Sequence, residues 1–420
     1  MLTKLKTINK NKDLKTVRNN FLSLSVLQIL NMFLPLLILP FLVRNLGLEN
    51  FGLLIFSQAF IAYFILITDY GFNISATREI STHKSDKEYV SKVFYSIFFI
   101  KIFLFLVSVV IFSIVIFSFE LFRENYLLHY ITFSMIIGQM LFPVWYFQGI
   151  ENMKMIAILN VIIKAIYTIM IFLFISSSED LLYVAGFNSA SFIIVGIIAF
   201  FMASKNLNFI SLDYDYIKSF FKESTTIFVS NFFSSMYSIS NSFLLGIFTN
   251  NTLVGIYGSF EKIITALKSL YFPLYQALFP YVSRQEDKKA IIKKLFLPMG
   301  LSGFMMMIIF YSFSEFFINL LYSNEELIKN INYFEYMTII PLLASINMLF
   351  NFLYLNSMKM YKERMYTMII AGIINFVIVI ILLSLNFEIL SVVISYIVTE
   401  TILITLGYKF FRTIKNDKTK

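Results

Sequence analysis

Four lysines stand where lysine is least expected. Lys101, Lys164, Lys262 and Lys268 lie inside long apolar runs, and the carboxylates Asp69, Glu261 and Glu400 share that placement. A charge at mid-bilayer depth is costly and as a rule faces a cavity or an opposite charge. Asn160, Lys164 and Tyr167 form one stripe at i, i+4, i+7, and Glu261, Thr265 and Lys268 form another. Ammonium groups beside amides and hydroxyls suit a ligand that carries negative charge. Two plainer readings stay open. Lys101 and Lys164 start roughly 12–14 Å from their helix ends, a distance that a snorkelling side chain partly covers. Glu261 and Lys268 are also spaced to neutralise each other.

Further polar groups extend the set. Asp69 precedes Tyr70 and Gly71, with Arg78 two turns on, which reads either as a helix-end Asp–Arg pair or as part of an inner gate. Arg44 is the lone basic residue of the turn Arg44–Asn50 (RNLGLEN), equally an outer-gate residue or a solvated side chain. Gln28 and Asn31 lie one turn apart, ahead of Pro35 and Pro40, residues that remove helix hydrogen bonds and bend the chain. Asn231, Ser234, Ser235, Ser238, Asn241 and Ser242 make a polar face at helical spacing. With Cys 0 and with His83 and His129 far apart, no metal site is expected. There is no Walker-type phosphate loop, and no nucleophile–base or paired-carboxylate arrangement in a loop, so the chain does not read as an enzyme. No cofactor and no nucleic-acid partner is expected. A coupling ion, H+ or Na+, acting at Asp69, Glu261 or Glu400 is left open.

The elements that must position these groups are transmembrane helices. Hydrophobic residues make up 58% of the chain, charged residues 14%, and the mean hydropathy is +0.77, against nearer 25% charge in soluble domains. Twelve apolar runs are legible, near 19–43, 51–73, 93–118, 126–148, 155–176, 182–203, 224–247, 253–278, 295–318, 331–357, 366–385 and 389–410. Each is long enough for a bilayer core, which takes about 20 helical residues. With the N-terminus inside, only Arg44, Arg123 and Lys329 fall in outer turns. Apart from the four buried lysines, the other Lys and Arg of the 34 collect on the inner side. Both termini are therefore expected in the cytoplasm, in an all-α integral membrane protein of twelve helices in two pseudo-symmetric six-helix bundles around a central cavity. The expected organisation is a tail 1–18, a bundle 19–203, a linker 204–223, a bundle 224–410 and a tail 411–420. SLDYDYIKSFFKE in the linker is amphipathic enough to lie along the membrane surface. Faint repeats support two halves: Gly52 and Gly255 in equivalent turns, and the paired inner turns FQGIENMK and LNSMKMYK.

Four motifs carry a family resemblance: LPFLVRNLGLENFGLLIFSQAF (Leu39–Phe60), DYGFNISATREIS (Asp69–Ser81), FPVWYFQGIENMK (Phe142–Lys154) and FPLYQALFPYVSR (Phe272–Arg284). With the twelve-span pattern they resemble the bacterial polysaccharide (O-antigen or capsule repeat-unit) flippases, the Wzx-type branch of the superfamily that includes multidrug/toxin exporters and the lipid II flippase. The resemblance implies a V-shaped pair of bundles in the bacterial cytoplasmic membrane. It implies a cationic lumen and an undecaprenyl-pyrophosphate-linked oligosaccharide moved from inner to outer leaflet by alternating access. Membrane lipid and other polysaccharide assembly proteins are the implied partners. On this reading Lys101, Lys164, Lys262 and Lys268, with Gln28, Asn31, Asn160, Asn231 and Asn241, line the substrate path. Arg44, Asp69, Arg78, Glu261 and Glu400 serve gating or coupling. A cation-coupled drug exporter of the same fold is the alternative and should show an acidic cleft. A membrane-embedded polysaccharide-biosynthesis enzyme is a third and should show a large outer loop.

Overall fold

The computed structural model describes residues 2–205, 207–209 and 213–413; side chains are described at Leu34 and from Leu36 onward, apart from a few positions within helices. Among the described residues all regular structure is helical. Nine stretches are long and apolar enough to cross a membrane: Leu36–Thr82, Lys87–Ser118, Tyr126–Gly149, Met153–Phe174, Ser178–Ser204, Lys288–Ser312, Ile331–Ser357, Tyr361–Ser384 and Ile389–Thr413. The chain is a multi-pass membrane protein. The other three runs expected from the sequence are helical but do not meet that measure. Run 19–43 lies largely where side chains are not described. In the Tyr214–Phe248 helix the described residues hold only a shorter apolar stretch, Ile239–Phe248. Asn251–Ser269 carries Glu261, Lys262 and Lys268 within one amphipathic helix.

The first helix, Leu2–Asp69, breaks at Gly47 (φ 76°, ψ 166°). No L-residue adopts that backbone cheaply, so the turn predicted at 44–50 is made by one glycine. Helical backbone persists through Pro40, so the break falls at Gly47 and not at the prolines. The Tyr214–Phe248 helix also departs from expectation. The amphipathic linker segment is not a separate surface helix; it continues without a break into the next run. Asp213 starts it, its carboxylate accepting from the Tyr216 N–H at 3.0 Å.

Two compact units form. One comprises Met1–Leu37, Ile67–Ile175 and Tyr183–Ile227; the other comprises Ile38–Leu66, Ser176–Leu182 and Phe228–Lys420. Residues 38–66, the tip of the first hairpin, thus pack within the second unit instead of with the rest of 19–203. Two glycines explain the grip. A Cβ on Gly52 would stand 1.7 Å from the Asn251 carbonyl oxygen, and one on Gly255 would stand 2.1 Å from that of Leu48. Backbone meets backbone there, a contact no side chain permits.

The paired inner turns share one geometry. Glu151 (φ 61°) and Lys359 (φ 59°) are both left-handed. Behind them Asn152 N–H donates to the Phe147 carbonyl at 2.8 Å, and Met360 N–H donates to that of Leu355 at 2.9 Å. This is the six-to-one bond of a Schellman helix end, and a new helix starts at Met153 in one unit and at Tyr361 in the other. The repeat faintly legible in the letters is therefore a repeat in backbone.

Substitution of Gly52 tests the seam. Gly52→Ala should lower the thermal midpoint of the detergent-purified protein by the equivalent of about 1–3 kcal/mol or more, the usual cost of overpacking. Gly300→Ala, a helical glycine with nothing within 4 Å of its Cβ position, should leave it level or raise it. Equal midpoints for both variants would refute the close approach.

Candidate functional site

In the first unit the long helix ends at Asp69, and Tyr70 (φ 43°) and Gly71 (φ 79°) turn the chain through two left-handed residues. The Phe72–Thr82 helix starts immediately after. This turn leaves the Asp69 carboxylate beside the Lys87–Ser118 helix, where the Lys101 ammonium donates to Oδ1 at 2.8 Å. Lys101 is 2% exposed and Asp69 34%. Asn73 adds a longer bond to Oδ2, 3.4 Å. The expected Asp69–Arg78 pair does not form: Asp69 is held by Lys101, while Arg78, exposed, bonds Glu79 at 3.3 Å and Glu223. Arg78 thus ties Phe72–Thr82 to the start of Tyr214–Phe248. Beside it Ser75 meets Ser224 at 2.9 Å and Tyr70 stacks on Phe221 with ring centroids 4.3 Å apart.

The second unit holds the larger network. Glu400 on Ile389–Thr413 has no solvent exposure at all. Its Oε1 accepts from Lys268 at 2.7 Å and its Oε2 from the Asn347 amide at 2.7 Å. Lys268 also donates to the Tyr396 hydroxyl at 2.8 Å and lies 4.7 Å from that ring's centroid. Asn347 in turn accepts from Asn351 at 2.8 Å; Asn351 reaches the Leu403 carbonyl at 2.7 Å and accepts from Thr367 at 3.0 Å. Asn347 closes the Ile339–Asn347 helix, and a π-helical stretch, Met348–Tyr354, follows directly. Such widened turns concentrate at functional sites. Spacing along one helix offers Glu261 as the partner of Lys268; the carboxylate within hydrogen-bond distance is Glu400, 132 residues away.

Of the remaining expected residues, Glu261 is close enough to Lys268 on Asn251–Ser269 to feel its charge, as the spacing predicts. Lys164 and Asn160, on Met153–Phe174, are half-buried, and the Asn160 amide donates to its own helix at Ile156. Lys262, Glu261 and Asn231 are half-buried in the second unit. Asn241 is buried, its amide 3.4 Å from the Tyr257 hydroxyl. Gln28 and Asn31 lie outside the residues whose side chains are described. Arg44 is exposed but not merely solvated: Nε donates to the Tyr322 carbonyl at 3.2 Å, and Nη2 to the Leu321 carbonyl at 3.1 Å and the Ser323 hydroxyl at 3.2 Å. A guanidinium at the carboxyl end of the Ser314–Leu321 helix satisfies carbonyls that the helix cannot and opposes its dipole. Asn347, Asn351, Thr367 and Tyr396 were not singled out by the sequence reading. Their signal was present as an i, i+4 pair of asparagines in an otherwise apolar run.

Membrane helices in two compact units, each burying a charged network, make a fold that solved structures share. An inward-facing multidrug resistance MATE family transporter of the MOP superfamily superposes with a TM-score of 0.71 at 12% identity, covering 92% of this chain and 96% of that one. The lipid II flippase MurJ, in an inward closed conformation, gives a TM-score of 0.74 at 15% identity over 94% and 87%. The pattern of the family described as "Polysaccharide biosynthesis protein" matches residues 17–286, and the chain belongs to that family. A "Putative O-antigen transporter" of Escherichia coli (strain K12) is 25% identical over 419 residues, 97% of this chain and 99% of that protein. A protein of the same name from Shigella dysenteriae is 27% identical over 275 residues, 64% and 68%.

A double-mutant cycle probes the Glu400 network. Lys268→Met strands a buried carboxylate and should cost about 3–5 kcal/mol, whereas adding Glu400→Gln should restore much of that loss, since removing both charges of a buried pair is often neutral. Thermal midpoints of the four proteins in detergent measure the coupling. Additive losses would mean that the two groups do not pair in the folded protein.

Proposed function

We propose that this chain is a flippase for a lipid-linked oligosaccharide, moving it from the inner to the outer leaflet of a bacterial cytoplasmic membrane by alternating access. The observation that carries the reading is the end-to-end likeness to a protein named as an O-antigen transporter, 97% of this chain at 25% identity. The flippase and exporter folds it resembles are in keeping with it. The excess of Lys and Arg on one side favours cytoplasmic termini. The substrate class proposed is an undecaprenyl-pyrophosphate head bearing sugars. Pyrophosphate oxygens call for ammonium or guanidinium donors, and amide and hydroxyl side chains suit the sugars.

The geometry redistributes the roles. Lys101 and Lys268 are each hydrogen-bonded to a carboxylate; the proposed headgroup contacts are Lys164 and Lys262, half-buried within their helices. Glu400 and Asp69 become the candidate coupling groups: binding H+ or Na+ there would loosen Lys268 or Lys101 and bias the helices they join. Arg44, with the Gly52 seam, is the proposed outer latch, holding the hairpin tip to Leu321–Ser323 in one state and releasing it in the other.

Two experiments test this reading in cells lacking their own copy of the gene. Lys164→Ala should reduce surface polysaccharide by about tenfold while the protein still reaches the membrane, and Lys164→Arg should fall between Ala and wild type because the guanidinium keeps charge but changes shape. Wild-type polymer from Lys164→Ala, Lys262→Ala and their double variant would remove the headgroup assignment. The chain contains no cysteine, so Arg44→Cys with Ser323→Cys provides a clean pair. A short bis-thiol linker should stop export and a cleavable version should restore it on reduction. Uninterrupted export by the linked protein would show that this contact never opens.

A further inference from the structure

The basic end of the Lys288–Ser312 helix opens onto a groove of about 580 Å³ that none of the roles above uses. Its walls come from three places in the second unit: Lys293 and Phe296 from that helix, Ile346 and Phe350 from the segment entering the π-helical stretch, and Ile404 and Tyr408 from Ile389–Thr413. Its polarity runs along one axis. The floor is apolar, with Phe350 and Phe411 buried. At the other extreme Lys293 lines the groove, and Lys289 stands one turn earlier on the same helix face. The Lys289 ammonium lies 5.5 Å from the Phe411 ring centroid and 3.5 Å from the Arg412 carbonyl oxygen. Arg412 itself is exposed. Lys293 thus lines an apolar trough, with Lys289 and Arg412 beside its Phe411 wall.

The local balance of charge is positive. Lys288, Lys289, Lys293, Lys294 and Arg412 outnumber the two carboxylates that precede this helix in the chain, Glu286 and Asp287. Asp287 is committed to the helix start, accepting from the Ala290 N–H at 3.0 Å. The helix N-terminus adds positive potential at the same place. Basic pockets between membrane helices suit lipid phosphate, with long side chains laid along the hydrocarbon and their charged ends at the interface.

We infer that this groove is a binding site for an anionic phospholipid of the surrounding leaflet. Its phosphodiester rests among Lys289, Lys293 and Arg412, and one acyl chain lies against Phe296, Ile346 and Ile404. Head and tail are both required: the cations alone would take any anion, and the trough alone would take any chain. A lipid seated there bridges Lys288–Ser312 and Ile389–Thr413, the helix that carries Glu400. It therefore braces the network from its basic end. The inference needs only the membrane placement of the chain and stands apart from the identity of the transported molecule.

The test uses the full-length protein in detergent, read by native mass spectrometry and thermal unfolding with no transport measurement. Phosphatidylglycerol should bind and raise the midpoint by several degrees more than phosphatidylcholine. That difference should shrink about threefold or more in Lys289→Ala/Lys293→Ala, whose changes touch only partly exposed lysines. Ile404→Trp, which fills the trough and leaves every charge in place, should weaken phosphatidylglycerol binding as well. Equal binding of the two lipids, or unchanged selectivity in the double lysine variant, would overturn the site. An equal shift from inorganic phosphate would show a free-anion site and sink the lipid assignment. Retention of phosphatidylglycerol by Ile404→Trp would overturn the seat of the acyl chain.

Discussion

A carboxylate with no access to solvent is the constraint around which the second unit is arranged. Glu400 is held by an ammonium on one oxygen and an amide on the other, both at 2.7 Å. Without those donors an ionised carboxylate in that place would be several kcal/mol too costly to keep. Meeting the demand draws in helices from distant parts of the chain. Lys268 comes from Asn251–Ser269, Asn347 from the end of Ile339–Asn347, and Thr367, through Asn351, from Tyr361–Ser384. A π-helical stretch begins where Asn347 leaves off. In an α-helix Asn347 and Asn351 stack on one face; here their amides connect to each other and to Leu403 in the neighbouring helix.

The first unit solves the same problem with fewer parts. Lys101 is as buried as any apolar core residue and is balanced by Asp69, which stays partly open at 34%. The difference in exposure separates the two pairs chemically. Asp69 keeps part of its surface open, whereas Glu400 is covered on every side.

Much of this was legible in the sequence, and what was not has a physical cause. Helices, the break near Gly47 and the twin inner turns follow from local rules: apolar length, the freedom of glycine at positive φ, and the closing of a helix by a left-handed residue. The buried charges were also visible one by one, because Lys101, Lys268, Asp69 and Glu400 interrupt apolar runs. Their partners were not. Lys268 and Glu400 are 132 positions apart, and Asp69 and Lys101 are 32 apart, so helical spacing offered Glu261 and Arg78 instead. Asn347 and Asn351 carry no formal charge, and the letters do not separate an amide that joins helices from one that bonds its own turn, as Asn160 does. The allegiance of residues 38–66 was hidden for another reason. It rests on a backbone contact at Gly52 and Gly255, and the missing side chain that permits such a contact leaves little mark on apolar periodicity.

The pairing of Lys101 and Lys268 changes what a cationic path in this protein can mean. Four lysines inside apolar helices look like four contacts for a phosphate, yet an ammonium at 2.8 Å from a carboxylate already has its counter-ion. Lending it to a substrate would leave that carboxylate bare in a place with little water. The exchange becomes favourable only if the carboxylate is itself neutralised at the same moment, by a proton or a metal cation. Any use of Lys268 by an anionic headgroup is therefore linked, by charge balance alone, to ion binding at Glu400.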